Sequence, residues 1–136
     1  MTLVIDASVA LAWCFEDEAR PEIDALEVVV RDEGALVPAL WHLEVGNILL
    51  QAEKRQRLSA SEVDLRLQLL SQLPIETDEP ASERAWHDIL ALARKHGLTV
   101  YDAAYLELAV RRGAALATLD GDLIKACGSA GIAIKP

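Results

Sequence analysis

Three short apolar runs, Leu3-Val4-Ile5, Ala35-Leu36-Val37 and Ala114 to Thr118, stand between much longer stretches whose apolar residues recur at helical spacing. Runs this short, the first of them β-branched, read as buried strands. Strands alternating with helices predict a layered α/β fold around a central and mainly parallel sheet. Helices are expected over 8–13, 21–31, 39–56, 59–73, 82–96, 99–112 and from the Asp120-Gly121 turn to Gly128. Pro21 suits a first helical turn and Gly34 a helix end, while Ser59 and Glu62 have the spacing of a capping box. Trp41 in the third helix, and Trp86, Ile89, Leu90 and Ala93 in the fifth, are expected to face inward. Leu73 to Glu76 is predicted as a short edge strand, because Pro74 is tolerated there, and Ile132 to Ile134 as a terminal strand. No repeat or linker divides the 136 residues, so one domain spanning 1–136 is expected.

Hydrophobic residues make up 52% of the chain, with Gly 7 and Pro 5, which excludes collagen-like and mostly disordered classes. Cys14 and Cys127 are too few for a disulfide scaffold and form no Cys-x-x-Cys pair. No basic segment precedes Asp6 and no apolar stretch approaches ~18 residues, so neither a signal peptide nor a membrane span is expected. A reducing cytoplasm is the simplest home. The net charge of −9, with pI about 4.7, argues at first sight against a nucleic-acid partner, because phosphates call for a basic footprint.

Most of the 22 acids lie among polar neighbours, and a solvated surface is their default reading: Glu16, Asp17, Glu18, Glu22, Asp32, Glu33, Glu53, Glu79 and Glu83 belong here. Four others occupy less ordinary places. Asp6 ends the first strand and opens a helix, where it can act as an N-cap or as a displayed carboxylate. Glu44 sits among Trp41, Leu43, Val45 and Ile48, with Asn47 on the same face. A glutamate there either reaches solvent at the stripe's margin or has a partner. Asp102 follows Thr99 at capping-box spacing, at the start of an apolar helix. Asp120 follows a strand in Thr118-Leu119-Asp120-Gly121-Asp122, a turn signal in which either Asp can cap the last helix. Taken singly, each has an ordinary explanation. Taken together, Asp6 and Asp120 end strands and Asp102 opens a helix just upstream of one. Three or four carboxylates are therefore expected where a parallel sheet returns its strands' carboxyl ends, which is where α/β folds place their sites. Carboxylates gathered there repel one another, and hard divalent cations such as Mg²⁺ or Mn²⁺ relieve that repulsion. Such ions hold phosphates and activate water, so the acids predict phosphodiester chemistry despite the net charge.

Four segments in order, Val4-Ile5-Asp6-Ala7-Ser8-Val9, Pro38 with Glu44-Val45-Gly46-Asn47, Leu98-Thr99-Val100-Tyr101-Asp102-Ala103-Ala104-Tyr105, and Thr118-Leu119-Asp120, resemble the PIN-domain ribonucleases, specifically the VapC-type toxins of VapBC toxin–antitoxin pairs. The resemblance spans nearly the whole chain. It implies a three-layer α/β/α PIN-like fold with an acidic pocket, in which Asp6, Glu44, Asp102 and Asp120 form the catalytic and metal-binding set. Asp6 and Asp102 would be the main Mg²⁺ ligands, with Mn²⁺ an acceptable substitute. Glu44 would hold water or a second ion, and Asp120 would complete the cluster. Ser8, Asn47 and Thr118 are implied as groups that orient the carboxylates. Asp122 divides between a fifth acid and a capping role. The implied reaction is hydrolysis of RNA by activated water. A VapB-type antitoxin and a homodimer are the implied partners.

Competing readings are weaker. His42, His87 and His96 stand at no metal or triad spacing, and Cys14 lies in an apolar stretch that reads as core. The basic groups Lys54-Arg55-Arg57, Arg94-Lys95 and Arg111-Arg112 end helices, where cations complement the helix dipole. One of them could also touch RNA. A PIN-like binding module without catalysis, or a PIN nuclease that is not a toxin, remains open. A phosphatase would want a second Asp where Ser8 stands, and a receiver domain would want adjacent acids there.

Overall fold

A computed structural model describes residues 2–18 and 20–136. Five strands, β1 (Leu3–Ile5), β2 (Ala35–Val37), β3 (Ile75–Thr77), β4 (Ala115–Ala117) and β5 (Ile134–Lys135), form one all-parallel sheet in the order β3-β2-β1-β4-β5. Val4 of the central strand pairs with Leu36 on one side and Leu116 on the other. The chain winds outward from β1 through β2 to β3, then returns to β1's other side with β4. Strand order therefore reverses between β1 and β4, and crevices in such sheets open at that point, beyond the carboxyl ends.

Around the sheet lie α1 (Ala7–Cys14), α2 (Pro21–Glu33), α3 (Leu40–Lys54), α4 (Ala60–Ser71), α5 (Leu90–His96), α6 (Val100–Arg112) and α7 (Gly121–Ala130), with a 3₁₀ turn at Glu16–Glu18. Local sequence explains their ends. Pro21 opens α2, and Gly34 closes it at φ +83°; a Cβ there would also meet the Pro74 carbonyl oxygen at 3.0 Å, so glycine is needed for space as well as conformation. The Ser59–Glu62 capping box is formed in both directions. Trp41 and Cys14 lie in the core as expected, and β3 is an edge strand. The last helix runs on to Ala130, and the terminal strand falls at Ile134–Lys135, two residues later than its periodicity suggests. The side chain of Glu16, read as solvated, lies outside the described residues. Among the described residues no helix is long and apolar enough to cross a membrane.

Two expectations are corrected. The helix predicted over 82–96 is interrupted: a 3₁₀ turn at Ala81–Glu83 and a π turn at Ala85–Ile89 precede α5. In an α-helix, residues three apart lie about 60° from each other. The wider i→i+5 turn opens that angle, so Ile89 stays in the core while Trp86 is 84% exposed. Trp86 is a surface residue, not part of the core.

The second correction concerns charge. Helix α6 is buried continuously from Ala103 to Ala109, which takes Glu107 into the interior. Asp78, just beyond β3, is also buried. Their partners are guanidinium groups. Arg84 lies 2.9 Å from Glu107 and 3.3 Å from Asp78, Arg111 lies 2.8 Å from Glu107 and pairs closely with Asp78, and Arg112 lies 3.7 Å from Asp78. Arg111 and Arg112 are thus engaged in an internal ion network rather than free at a helix end. Burial alone would push the Asp78 carboxyl up, yet the arginines hold it below the ordinary carboxylate range.

Removing one member of such a network leaves buried charge uncompensated. Asp78→Ala should lower stability by about 3 kcal/mol, the low end of the usual cost because the arginines keep some contact with water. Urea unfolding measures this, and a loss under about 1 kcal/mol would show that the network adds little.

Candidate active site

Asp6 sits at the hinge between β1 and α1, only 5% exposed. Three donors hold its carboxylate. Ser8 Oγ donates to Oδ1 at 2.5 Å, the Val9 amide approaches Oδ1 at 3.3 Å, and Thr118 Oγ1 donates to Oδ2 at 2.5 Å. The two hydroxyls are themselves oriented: Ser8 Oγ accepts from the Leu119 amide at 2.9 Å and Thr118 Oγ1 from the Asp120 amide at 3.0 Å. The Asp6 amide also bonds the Ala117 carbonyl at 3.1 Å, extending the β1–β4 ladder. A carboxylate oxygen has two lone pairs. Oδ1 uses both, while Oδ2 keeps one for a further partner.

The other acids reach the same edge from separate elements. Asp120 caps α7, accepting from the Leu123 amide at 3.1 Å. Asp102 lies in the first turn of α6, whose cap is Thr99 accepting from the Asp102 amide at 3.0 Å. Glu44 projects from α3, which starts just after β2, and its Oε1 accepts a hydrogen bond from the Tyr105 hydroxyl. The amino ends of α1, α6 and α7 all face this edge, where their dipoles favour negative charge.

The carboxylates share one electrostatic field. Burial pushes the Asp6 carboxyl up, against the relief given by Ser8, Thr118 and Val9, and the charge of Asp120 adds to the rise. Burial pushes Asp102 up as well, reinforced by Asp120, Asp6 and Asp122 and eased by Thr99. Glu44 is raised by burial and by Asp102 and Asp6, with the Tyr105 hydroxyl opposing. The same edge is felt by the buried Cys127 thiol, pushed up to about 11 by burial and then by Asp6. Among the described residues, no cation is among the groups that shift the three raised carboxyls.

Asp6, Glu44, Asp102 and Asp120 are thus brought to one edge, together with Ser8 and Thr118, and Asp122 contributes charge there. Asn47 lies one turn beyond Glu44 and is exposed; among the described residues it makes none of the hydrogen bonds that hold the carboxylates. Among the described residues no group of three or more His, Cys, Asp or Glu side chains is placed to hold a metal ion. A cavity of about 560 Å³ lies at the opposite, amino edge of the sheet, between Thr2, Gly34, Pro74 and Arg112. It belongs to no carboxylate of this set.

Tyr105 is the residue that sequence reasoning passed over. Its signal was a polar tip on a helix otherwise buried from Ala103 to Leu108, since a buried tyrosyl hydroxyl needs a partner. Asp78 and Glu107 were passed over too. They build the ion network, away from these acids in the chain's pairing.

Residues 3–129 match the family model of the PIN domain. The chain belongs to the PIN-domain family. It is 37% identical over 123 residues to "Ribonuclease VapC3" of Pyrobaculum aerophilum, covering 90% of this chain and 92% of that protein. The fold also resembles the crystal structure of PAE2754 from the same organism, at TM-score 0.71 and 26% identity over 98% of this chain and 83% of that one. VapBC2 from Rickettsia felis, solved bound to a DNA fragment from its promoter, shares the fold at TM-score 0.69 with 10% identity, covering 99% of this chain and 98% of that one.

The raised carboxyls carry a sign for stability. Folding raises the proton affinity of Asp102, so stability falls as pH rises from the unfolded-chain value near 4 through the folded one, and stays lower above it. Asp102→Asn should therefore melt a few degrees above the unsubstituted chain at neutral pH without divalent ions, and the gap should close toward about pH 4. A variant that melts lower at neutral pH would contradict this field.

Proposed function

We propose that the chain is a divalent-metal-dependent endoribonuclease, the toxin of a type II toxin–antitoxin pair, with residues 1–136 acting as one PIN domain in the cytoplasm. The observation that carries this reading is the mutual charge of Asp6, Glu44, Asp102 and Asp120 at the carboxyl edge, with no cation among the described groups that shift Asp6, Glu44 and Asp102. The 37% identity to a protein named as a VapC ribonuclease supports it.

The donor set is oxygen only, which fits Mg²⁺, with Mn²⁺ able to substitute. Mg²⁺ keeps several waters and takes only one or two carboxylates, so a closed set of three acids is not required. Asp6, through the open lone pair of Oδ2, and Asp102 would hold it, with Glu44 and Asp120 completing the site. When bound, such an ion neutralises phosphate charge and acidifies water. The protein's own groups do the rest. Ser8 and Thr118 keep the Asp6 carboxylate oriented, with Asn47 assigned to the same task around Glu44. Glu44 Oε2 takes a proton from the attacking water. The water oxygen bonds to phosphorus as the P–O3′ bond breaks, and the leaving 3′ oxygen takes a proton from solvent water. The products are a 5′-phosphate and a 3′-hydroxyl, with no part for the 2′-hydroxyl.

The partners follow from the same charge. RNA is held through the cation and the basic groups that remain free, so binding is modest and metal-dependent. A VapB-type antitoxin would set a basic side chain among the carboxylates, silencing the site, and the working unit is a homodimer.

Asp6→Asn and Asp102→Asn should each cut Mg²⁺-dependent cleavage of total RNA by about two orders of magnitude or more while leaving the far-UV circular dichroism unchanged. A chelator should abolish cleavage by the unsubstituted chain, and mapped ends should carry 5′-phosphates. Undiminished cleavage by the purified double variant would sink the assignment.

A further inference from the structure

Asp102 and Tyr105 are three residues apart on α6, so their side chains share one face of that helix. The Tyr105 ring is 1% exposed, and its hydroxyl leaves the core at one point, where it donates to Glu44 Oε1. Glu44 comes from a different element, α3, and is half-buried between exposed Leu43 and exposed Asn47. A glutamate side chain so placed has several free torsions, and among the described residues no other hydrogen bond restrains its carboxylate. Untethered, it would turn toward water. The tyrosyl oxygen prevents this because the ring that carries it cannot move without disturbing the core. It also makes the two carboxylate oxygens inequivalent: Oε1 is taken by the hydroxyl, and Oε2 is left open.

We infer that Tyr105 is a positioning residue, setting the Glu44 carboxylate beside Asp102 with Oε2 turned to the reacting water. The inference rests on the ribonuclease reading and names a residue that the four acids alone do not supply. A tyrosine needed only for packing would require its ring. A positioning tyrosine requires its oxygen.

Tyr105→Phe separates the two, since it keeps the ring and removes the hydroxyl. The expected result is a melting temperature within a few degrees of the unsubstituted chain and Mg²⁺-dependent cleavage of total RNA slowed about 10–100-fold, the usual cost of losing an orienting partner. Mn²⁺ affinity, measured by electron paramagnetic resonance without RNA, should fall several-fold, and adding Glu44→Gln should slow cleavage no further than Glu44→Gln alone. Unchanged cleavage with unchanged Mn²⁺ affinity overturns the inference. A readout independent of activity comes from metal-free protein labelled at the tyrosine Cζ: Glu44→Gln should shift the Tyr105 resonance. An unmoved resonance overturns the pairing, and it decides the matter even if Tyr105→Phe does not fold. Should the resonance shift while the unsubstituted chain cleaves no RNA, the ribonuclease reading fails and the positioning role falls with it, although the Tyr105–Glu44 bond stands.

Discussion

Everything at the carboxyl edge depends on the Asp6 carboxylate being held in place inside the protein. Its three donors come from two sides of the switch point, Ser8 and Val9 on α1 and Thr118 beyond β4. The bond from Thr118 joins positions 112 residues apart, so it exists only when β1 and β4 are neighbours in the sheet. Burying a carboxylate is costly unless donors compensate, and here the compensation is incomplete, because burial outweighs the three donors and Asp120 adds its charge. The edge is therefore a site under electrostatic tension, which a bound cation would relieve.

Helix α6 carries both of the chain's responses to buried charge. At its amino end Asp102 is half-buried beside other acids, with no counterion among the described residues, while toward its carboxyl end Glu107 meets Arg84 and Arg111. The second arrangement is neutralised within the protein and fixes α6 against the segment beyond β3 through Asp78. The first is not. A helix anchored by ion pairs at one end can present uncompensated carboxylates at the other without losing its position, which matters because positioning within fractions of an ångström governs such sites.

How much of this was legible in the sequence depends on how far apart the interacting residues lie. Caps are local, so Asp6, Ser59, Thr99 and Asp120 announce helix starts within three or four residues, and the alternation of short runs with helices is enough for a mainly parallel α/β sheet. Asp6, Asp102 and Asp120 could be brought together because each ends a strand or opens a helix, and parallel topology returns those points to one edge. Glu44, inside α3, joined them through the resemblance to PIN-domain ribonucleases. The Tyr105–Glu44 bond spans 61 residues and the Arg111–Asp78 pair 33, and neither has a local pattern to betray it. Trp86 misled for a different reason: helical periodicity assumes 3.6 residues per turn, and one π turn changes which face a residue occupies. The 13 basic residues against 22 acids looked hostile to nucleic acid, yet several of those acids are confined to one edge, and three of the arginines are paired with the buried Asp78.

The central claim is that this edge takes up a hard divalent cation because its carboxylates lack any other counterion. Titration of the purified, metal-free chain with Mn²⁺, following the free-ion signal by electron paramagnetic resonance, tests it directly. Saturable uptake by the intact chain, lost when Asp6 and Asp102 are both replaced by Asn in a protein that still folds, is the predicted result. Absence of saturable uptake, or uptake that survives the double replacement, would contradict the account.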